Sequence, residues 1–299
     1  MDKGSKGRNE AGFEDLTVMK MLTRPPLPFL GNKAKYRKSI LQILETYIPT
    51  VIQENEFYIV DVFGGSGFCA YLARQVFPDI QHVHVVYNDY DNYLDRLMKI
   101  DQTNRILQKC RAIVRTPQEK RMTDAEKHAI EEIIEQEESP DIKTISTHFT
   151  YTCGWCDSYE DLKKKSAFYN RLSRDTYKTS AAEYLEDIDV IRADWEVIVN
   201  YFMDKPTLFI IDPPYLYSDK VLYNTKYWKL DKYMLLLSKI MSMEHVILFS
   251  EKGGEFSSII NSFYHDFGIK LFRDYVKHFV LNARNIGYNK RIQEEIYYQ

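Results

Sequence analysis

The chain has 299 residues, 44% of them hydrophobic and 14% aromatic, which allows one large core or one core plus a small satellite domain. It has no apolar run of the roughly 18 residues that a membrane span needs, and its first residues contain no apolar secretion signal. It also has too few cysteines for a disulfide framework. We therefore expect a cytoplasmic protein without a membrane partner. The net charge of −3, taken by itself, argues weakly against a nucleic-acid partner.

Short apolar runs alternate with amphipathic stretches along the chain, which predicts an α/β fold. Strands are expected at residues 57–63, 82–88, 207–211 and 245–250, and each is nearly continuous in apolar residues. Such runs are typical of a parallel sheet with helices on both faces. Helices are expected at residues 35–47, 68–76, 194–202 and 232–241, and further strand-like segments at 271–279 and 293–298.

Residues 101–189 break this alternation. Thr123 and Glu126 have the spacing of a capping box, which predicts a charged helix running to about Glu138. Beyond Pro140 the segment is polar and aromatic, without clear strand alternation. We expect residues 1–22 to be a flexible N-terminus, 23–100 and 190–299 to form one α/β domain, and 101–189 to be a smaller, mainly helical insert.

A glycine-rich turn follows the first predicted strand, in the sequence Asp61-Val62-Phe63-Gly64-Gly65-Ser66-Gly67-Phe68. Glycines at such a turn let the backbone bend tightly and approach a ligand closely. Asn88-Asp89 ends the next strand, where an acid can accept hydrogen bonds from ribose hydroxyls. Either feature alone also fits an ordinary turn, but together they favour a site for a nucleoside-containing cofactor.

The third strand ends in Asp212-Pro213-Pro214-Tyr215. The two prolines cannot donate hydrogen bonds and fix the local backbone. The loop therefore presents a rigid acceptor surface, made of the Asp212 carboxylate and nearby carbonyls, beside an aromatic ring. Those groups suit an amino group to be held and a planar base to be stacked.

These motifs resemble the amino-methyltransferases of DNA and, among them, the Dam-like adenine methylases. Residues 212–215 match the catalytic tetrapeptide of that family, residues 62–67 its cofactor loop, and Asn88-Asp89 its ribose-binding acid. Residues 28–33 resemble its N-terminal cofactor motif, with Phe29 where tryptophan or tyrosine is usual and Asn32 in place of a second glycine.

Two weaker matches extend the resemblance to residues 26–100 and 190–299. Asp194-Trp195-Glu196 is similar to an acidic motif before the catalytic strand, and residues 284–295 are similar to the last motif of the family. The order of the motifs is that of the alpha group. The insert does not align with the usual recognition segment, so the DNA sequence that it reads stays open.

The resemblance implies a Rossmann-like sheet that binds S-adenosylmethionine, and methyl transfer to the exocyclic amine of a flipped-out adenine in double-stranded DNA, without a metal. The implied catalytic residues are Asp212, Pro213, Pro214 and Tyr215. The implied cofactor-binding residues are Phe29, Lys33, Phe63, Gly64, Gly65, Gly67, Asp89 and Asp212. It also implies a bacterial or phage-encoded monomer or weak dimer, with a cognate restriction endonuclease as a further partner.

Basic residues gather in three places: Lys33, Lys35, Arg37 and Lys38; Lys163, Lys164, Lys165, Arg171 and Arg174; and Lys220, Lys226, Lys229 and Lys232. Such runs can bind phosphates at one face of a protein whose total charge is near zero, or they can be ordinary solvated helix faces. We assign DNA contacts to the second cluster and to Asp194.

Several alternatives stay open at this point. The same tetrapeptide serves methylation of the cytosine amine, and similar ones serve RNA or protein amides; an inactive DNA-binding relative is a further alternative. Cys153-Gly154-Trp155-Cys156, with His148 nearby, raises the question of zinc, but one close cysteine pair is a poor structural zinc site. Trp155 among basic neighbours fits a nucleic-acid contact better.

Overall fold

A computed structural model describes residues 21–46, 48–50, 52, 56–78, 82–151, 155–172, 176–214, 228–251, 253–268, 279–281 and 294–299. Four predictions fall wholly or largely outside these residues. They are the flexible N-terminus, the strand-like segment 271–279, the last motif at 284–295, and the side chains of Tyr215, Arg174, Lys220 and Lys226.

In the described part of the chain, seven strands form one sheet in the order β3-β2-β1-β4-β5-β7-β6. The strands are β1 (Phe57–Asp61), β2 (Val83–Asn88), β3 (Asp189–Ile191), β4 (Thr207–Ile211), β5 (His245–Glu251), β6 (Phe279–Leu281) and β7 (Glu294–Tyr298). Strands β1 to β5 pair in parallel, whereas β7 lies antiparallel between β5 and β6.

Helices cover both faces of this sheet. They are α1 (Arg37–Thr46), α2 (Phe68–Val76), α3 (Tyr93–Met98), α4 (Ile100–Ile113), α5 (Asp124–Glu135), α6 (Ile142–Ser146), α7 (Tyr159–Lys163), α8 (Ala181–Tyr184), α9 (Trp195–Phe202), α10 (Leu230–Ile240) and α11 (Glu255–Phe267). Short 3-10 turns at Ala34–Tyr36 and Ile48–Thr50 flank α1.

The core has two layers because successive side chains of a strand point to opposite faces. Along β1 and β4, Ile59 and Leu208 pack with residues of α1 and α2, whereas Val60 and Phe209 pack with residues of α9 and α10. This mostly parallel sheet, buried on both sides, confirms the Rossmann-like α/β fold predicted from the sequence. The short edge strand β3 was not predicted.

The predicted insert contains a hydrophobic cluster of its own, built from α4 to α7. Its helix α5 begins with the expected capping box, in which the Thr123 side chain accepts from the Glu126 amide and Glu126 accepts from the Thr123 amide. The helix ends at Glu135 rather than near Glu138. Near the C-terminal end of the insert, Tyr184 and Ile188 pack instead with the core of the large sheet.

None of the helices in the described ranges has both the length and the apolar character needed to cross a membrane.

Candidate active site

A cavity of about 300 Å³ opens at the carboxyl ends of β1 and β4. The strand order reverses between these two strands, which is where parallel α/β sheets form ligand crevices. The lining residues are 29–33, 61–66, 68, 69, 88, 90, 91, 194, 195, 212–214 and 228. The cavity thus joins four segments: the N-terminal motif (residues 28–33), the glycine turn after β1, the end of β2, and the loop Asp212-Pro213-Pro214 after β4, here called the acid-proline loop.

The glycine turn at the end of β1 is shaped by close contacts. A Cβ atom on Gly64 would lie 2.4 Å from atoms of the Tyr87 ring, and one on Gly65 would lie 2.8 Å from the Phe29 ring. Gly65 has φ +51° and Gly67, which precedes α2, has φ +68°, both in the left-handed region that favours glycine. The Tyr87 hydroxyl oxygen lies 2.7 Å from the Gly65 carbonyl oxygen. Glycine is therefore required here by backbone conformation and by space.

Three ionisable side chains, Lys33, Asp61 and Asp212, line the cavity. The Lys33 ammonium lies 2.6 Å from an Asp212 carboxylate oxygen and 3.3 Å from the Gly31 carbonyl. Asp61, at the end of β1, is buried and accepts a hydrogen bond from the Ala70 amide at 3.3 Å. Burial, reinforced by the nearby Asp212 charge, raises the pKa of Asp61 to about 7, although the Ala70 hydrogen bond and the Lys33 charge oppose the rise.

The loop after β4 carries Asp212, Pro213 and Pro214 into the cavity wall. The buried Tyr233 hydroxyl donates a hydrogen bond to the Pro214 carbonyl, which anchors the loop on helix α10. The carboxylate of Asp212 is thus fixed from two sides, by β4 and by Lys33. Tyr215, the last member of the tetrapeptide, lies outside the described residues.

Asn88, at the end of β2, ties the neighbouring chain segments together. Its side-chain amide donates to the carbonyls of Val62 at 2.9 Å and Ala193 at 3.1 Å, and its side-chain oxygen accepts from the Ala193 amide. This arrangement brings Asp194 to the cavity, where it caps α9 by accepting from the Glu196 amide. The sequence assigned Asp194 to DNA contacts, and the structure puts it in the same cavity as the glycine turn.

Asp89, the predicted ribose-binding acid, is buried beside the cavity and is not among its lining residues. Its carboxylate accepts hydrogen bonds from the Tyr87 hydroxyl and from the amides of Tyr93 and Leu94, at 2.9, 2.6 and 2.9 Å. In this structure it therefore fixes the start of α3 and the Tyr87 ring. The next two residues, Tyr90 and Asp91, line the cavity directly.

An aromatic cluster forms one wall of the cavity. Phe63 stacks with Trp195 at 6.2 Å between ring centroids and meets Trp228 edge to face at 5.5 Å. The sequence predicted Phe63 but missed both tryptophans as cavity residues. Trp195 belongs to the acidic motif Asp194-Trp195-Glu196, so the sequence offered a reason to expect it near the site. Trp228 lies in no recognised motif, so the sequence offered no such reason.

The basic residues assigned to DNA lie in the insert, away from the cavity lining. Lys163, Lys164 and Lys165 are exposed at the end of α7, and Lys164 pairs with Asp161 at 3.1 Å. Arg171 donates to the Thr150 carbonyl and lies 3.7 Å from Glu119. These positions leave the second basic cluster on the surface of the insert, with Arg174 outside the described residues.

The first basic cluster does not form one exposed patch. Lys33 lines the cavity and is only 6% exposed. The Arg37 guanidinium donates a hydrogen bond to the Leu22 carbonyl at 3.2 Å. Lys35 and Lys38 are exposed. The four residues of this cluster are therefore divided between the cavity and the protein surface.

The described cysteines are buried thiols. Cys69 lines the cavity, and burial raises the pKa of its thiol well above the usual value, so it stays protonated and unreactive at neutral pH. Cys156 lies in the core of the insert, and Cys153 falls outside the described residues.

No family model matches the chain. The chain is similar to a protein of Haemophilus influenzae named "Putative methyltransferase", with 29% identity over 247 residues. The alignment covers 81% of this chain and 80% of the Haemophilus protein. Together with the Rossmann-like sheet, this similarity supports methyltransferase activity as the general class of the protein.

Proposed function

We propose that this protein is an S-adenosylmethionine-dependent methyltransferase of the Dam-like group, which methylates the exocyclic amine of adenine in double-stranded DNA. One observation carries the proposal. The glycine turn and the acid-proline loop, which are far apart in sequence, line one cavity at the carboxyl ends of adjacent strands, and Lys33 of the same cavity pairs with Asp212.

The chemistry of the cavity fits the proposed cofactor. S-adenosylmethionine, when bound, supplies an electrophilic methyl group on a sulfonium centre. The carboxylates of Asp61 and Asp91 suit its positively charged groups and hydroxyls, and the Phe29 ring offers an apolar surface for a planar base. The glycine turn lets the backbone approach a ligand without Cβ atoms in the way.

The acid-proline loop suits an amine as methyl acceptor. The Asp212 carboxylate and the Pro213 carbonyl can accept hydrogen bonds from the two amine protons, and this orients the nitrogen lone pair toward the methyl donor. The Lys33 ammonium, 2.6 Å from the Asp212 carboxylate, holds that side chain in place. The residues act by positioning the reactants, which can supply a large share of a rate enhancement.

An adenine in duplex DNA must leave the base stack to reach this buried cavity, at a cost of a few kcal/mol. The aromatic wall of the cavity, formed by Phe63, Trp195 and Trp228, provides a surface near the acid-proline loop. Stacking on aromatic side chains recovers about 1–3 kcal/mol per base in other proteins. We assign the main stacking role to Tyr215, on the resemblance of the tetrapeptide.

The proposal is tested by incubating the full-length protein with unmethylated plasmid and S-adenosylmethionine carrying a labelled methyl group, followed by mass spectrometry of the nucleosides. We expect label in N6-methyl-2′-deoxyadenosine from the plasmid DNA. Label in N4-methylcytosine identifies the cytosine alternative, and label confined to added RNA or protein identifies the other methyltransferases.

The matched control is Asp212→Ala, which should bind the cofactor more weakly but transfer no methyl group. If the folded wild-type protein leaves the plasmid unlabelled, the proposal is contradicted; if added RNA and protein are unlabelled as well, an inactive DNA-binding relative is favoured. Full transfer by Asp212→Ala would contradict the role of that carboxylate even if adenine were methylated.

A further inference from the structure

The insert meets the N-terminal cofactor motif at one buried cation. Arg96, on helix α3, places its Nε 3.2 Å from both carboxylate oxygens of Asp141, the residue before helix α6 of the insert. Its Nη2 donates to the Thr144 hydroxyl at 2.8 Å and to the Pro28 carbonyl at 2.7 Å. A single guanidinium therefore joins the insert to the residue that precedes Phe29.

A tryptophan of the insert makes the second contact. The Trp155 ring meets Phe29 edge to face, with 5.9 Å between centroids and 81° between planes. Arg96 and Lys143 lie over the same indole, at 5.3 and 5.5 Å from its centroid. Cation–π contacts of this kind fix a ring in place as well as attracting it. Trp155 is thus held by two cations while its ring supports Phe29.

Phe29 itself belongs to the cavity. It lines the wall, and its ring packs so closely on the glycine turn that a Cβ on Gly65 would lie 2.8 Å from it. On another side Tyr93 meets it edge to face at 5.7 Å. The position of Phe29 therefore depends on both the α/β domain and the insert.

We propose that Trp155 is a positioning residue of the cofactor cavity: it holds Phe29 against the glycine turn and so couples occupancy of the cavity to the arrangement of the insert. The inference rests on the proposed function for the identity of the ligand, S-adenosylmethionine. Because coupling between binding sites is reciprocal, DNA bound to the insert changes cofactor affinity by the same factor as the cofactor changes DNA affinity.

This inference gives Trp155 a different role from the nucleic-acid contact predicted from the sequence. A direct contact needs the indole free to stack on a base, and its loss would weaken DNA binding with the cofactor cavity unchanged. A positioning role predicts weaker cofactor binding in the absence of DNA.

Isothermal titration calorimetry of the full chain with S-adenosylmethionine, without DNA, distinguishes the two roles. Trp155→Ala should raise the cofactor Kd roughly 2- to 10-fold, the range expected for loss of one aromatic edge contact. Trp155→Phe, which keeps an aromatic edge, should recover most of the affinity. The matched control is Tyr151→Ala, which removes an edge-to-face pair with Tyr169 elsewhere in the insert.

Hydrogen exchange supplies a readout that a general loss of stability would not reproduce. In the wild type, cofactor should increase protection of the amides of α6 (Ile142–Ser146), because Phe29, Trp155 and Arg96 connect the cavity to that helix. Trp155→Ala should lose this gain, whereas Tyr151→Ala should keep it.

A double-mutant cycle with Phe29→Ala completes the test. If Trp155 acts through Phe29, Trp155→Ala has little further effect on the Kd in the Phe29→Ala background. Additive effects, an unchanged Kd in Trp155→Ala, or an equal loss in Tyr151→Ala would overturn the inference while the wild type still binds the cofactor and methylates DNA. A folded wild type that does not bind S-adenosylmethionine contradicts the proposed function instead, and this inference with it.

Discussion

The ammonium of Lys33 lies 2.6 Å from the carboxylate of Asp212, although the two residues belong to motifs that are far apart in sequence. Asp61 lies close enough for both charges to affect its pKa. The N-terminal motif therefore has two roles. It forms part of the cavity wall, and it is linked to the acid-proline loop through this ion pair. The Lys33 side chain is 7% exposed and that of Asp212 is 21% exposed, so the ion pair is only partly accessible to water.

Removing Lys33 should cost more than removing an exposed lysine. Lys33→Ala removes the ammonium that lies 2.6 Å from Asp212, and we expect the free energy of unfolding to fall by about 3 kcal/mol, as for other broken buried pairs. Lys35→Ala, an exposed neighbour, should change it by less than about 0.5 kcal/mol. Urea denaturation measures the free energy of unfolding of both variants.

Adding Asp212→Asn to Lys33→Ala should recover part of the lost stability. If the effects of the two substitutions are strictly additive, the ion pair does not couple the two residues.

The glycine turn offers a comparison between backbone strain and ligand contact. Gly65 and Gly268 both have positive φ, at +51° and +67°, but only Gly65 has a neighbour, Phe29, where a Cβ would go. We expect either alanine variant to lose about 1 kcal/mol of stability from backbone strain. Only Gly65→Ala should also weaken S-adenosylmethionine binding, because it displaces Phe29 from the cavity wall. Equal cofactor Kd values in the two variants would contradict this role of the turn.

The sequence predicted the central strands because each is a nearly continuous apolar run, and it predicted the turns because glycine and proline restrict the backbone in recognisable ways. Strand β3 (Asp189–Ile191) was missed because three partly exposed residues carry no such pattern. The Lys33–Asp212 pair and the packing of Trp155 on Phe29 depend on how distant segments meet. No spacing within one segment records those contacts.

The contrast between Asp61 and Asp89 shows the same limit at the level of single residues. Both are acids at the end of a buried strand, and the sequence assigned only Asp89 to the cofactor. In the structure Asp61 lines the cavity, whereas Asp89 accepts its hydrogen bonds from Tyr87, Tyr93 and Leu94. Which acid faces the cavity depends on the direction in which each side chain points, and the sequence pattern does not predict that direction.

The raised pKa of Asp61 predicts a specific dependence of stability on pH. Its pKa moves from 3.8 to about 7 on burial, so the folded protein binds more protons at this group than the unfolded chain between those values. The free energy of unfolding should therefore fall as pH rises from about 4 to about 7, by up to about 1.4 kcal/mol per pH unit, and the effect should level off above that.

Asp61→Asn isolates this contribution, because the amide oxygen can still accept from the Ala70 amide but does not titrate. The difference in unfolding free energy between wild type and variant, measured by urea denaturation at several pH values, should carry the slope. His148, whose pKa burial lowers to about 4, has the opposite effect in the same range and is common to both proteins. A difference that does not change with pH would show that Asp61 ionises as it does in the unfolded chain.

The junction between the insert and the α/β domain should depend strongly on its buried ion pair. Arg96 and Asp141 have side chains 7% and 2% exposed, whereas Lys99 and Asp95, one turn away on the surface, are 25% and 54% exposed. Asp141→Ala leaves a buried guanidinium without its carboxylate and removes the cap of α6, so we expect a loss of about 3–5 kcal/mol. Asp95→Ala should cost less than about 0.5 kcal/mol, as is usual for an exposed helical pair. If chemical denaturation gives similar values for the two variants, the insert is held by its apolar contacts, and Arg96 contributes little to joining it to the cofactor motif.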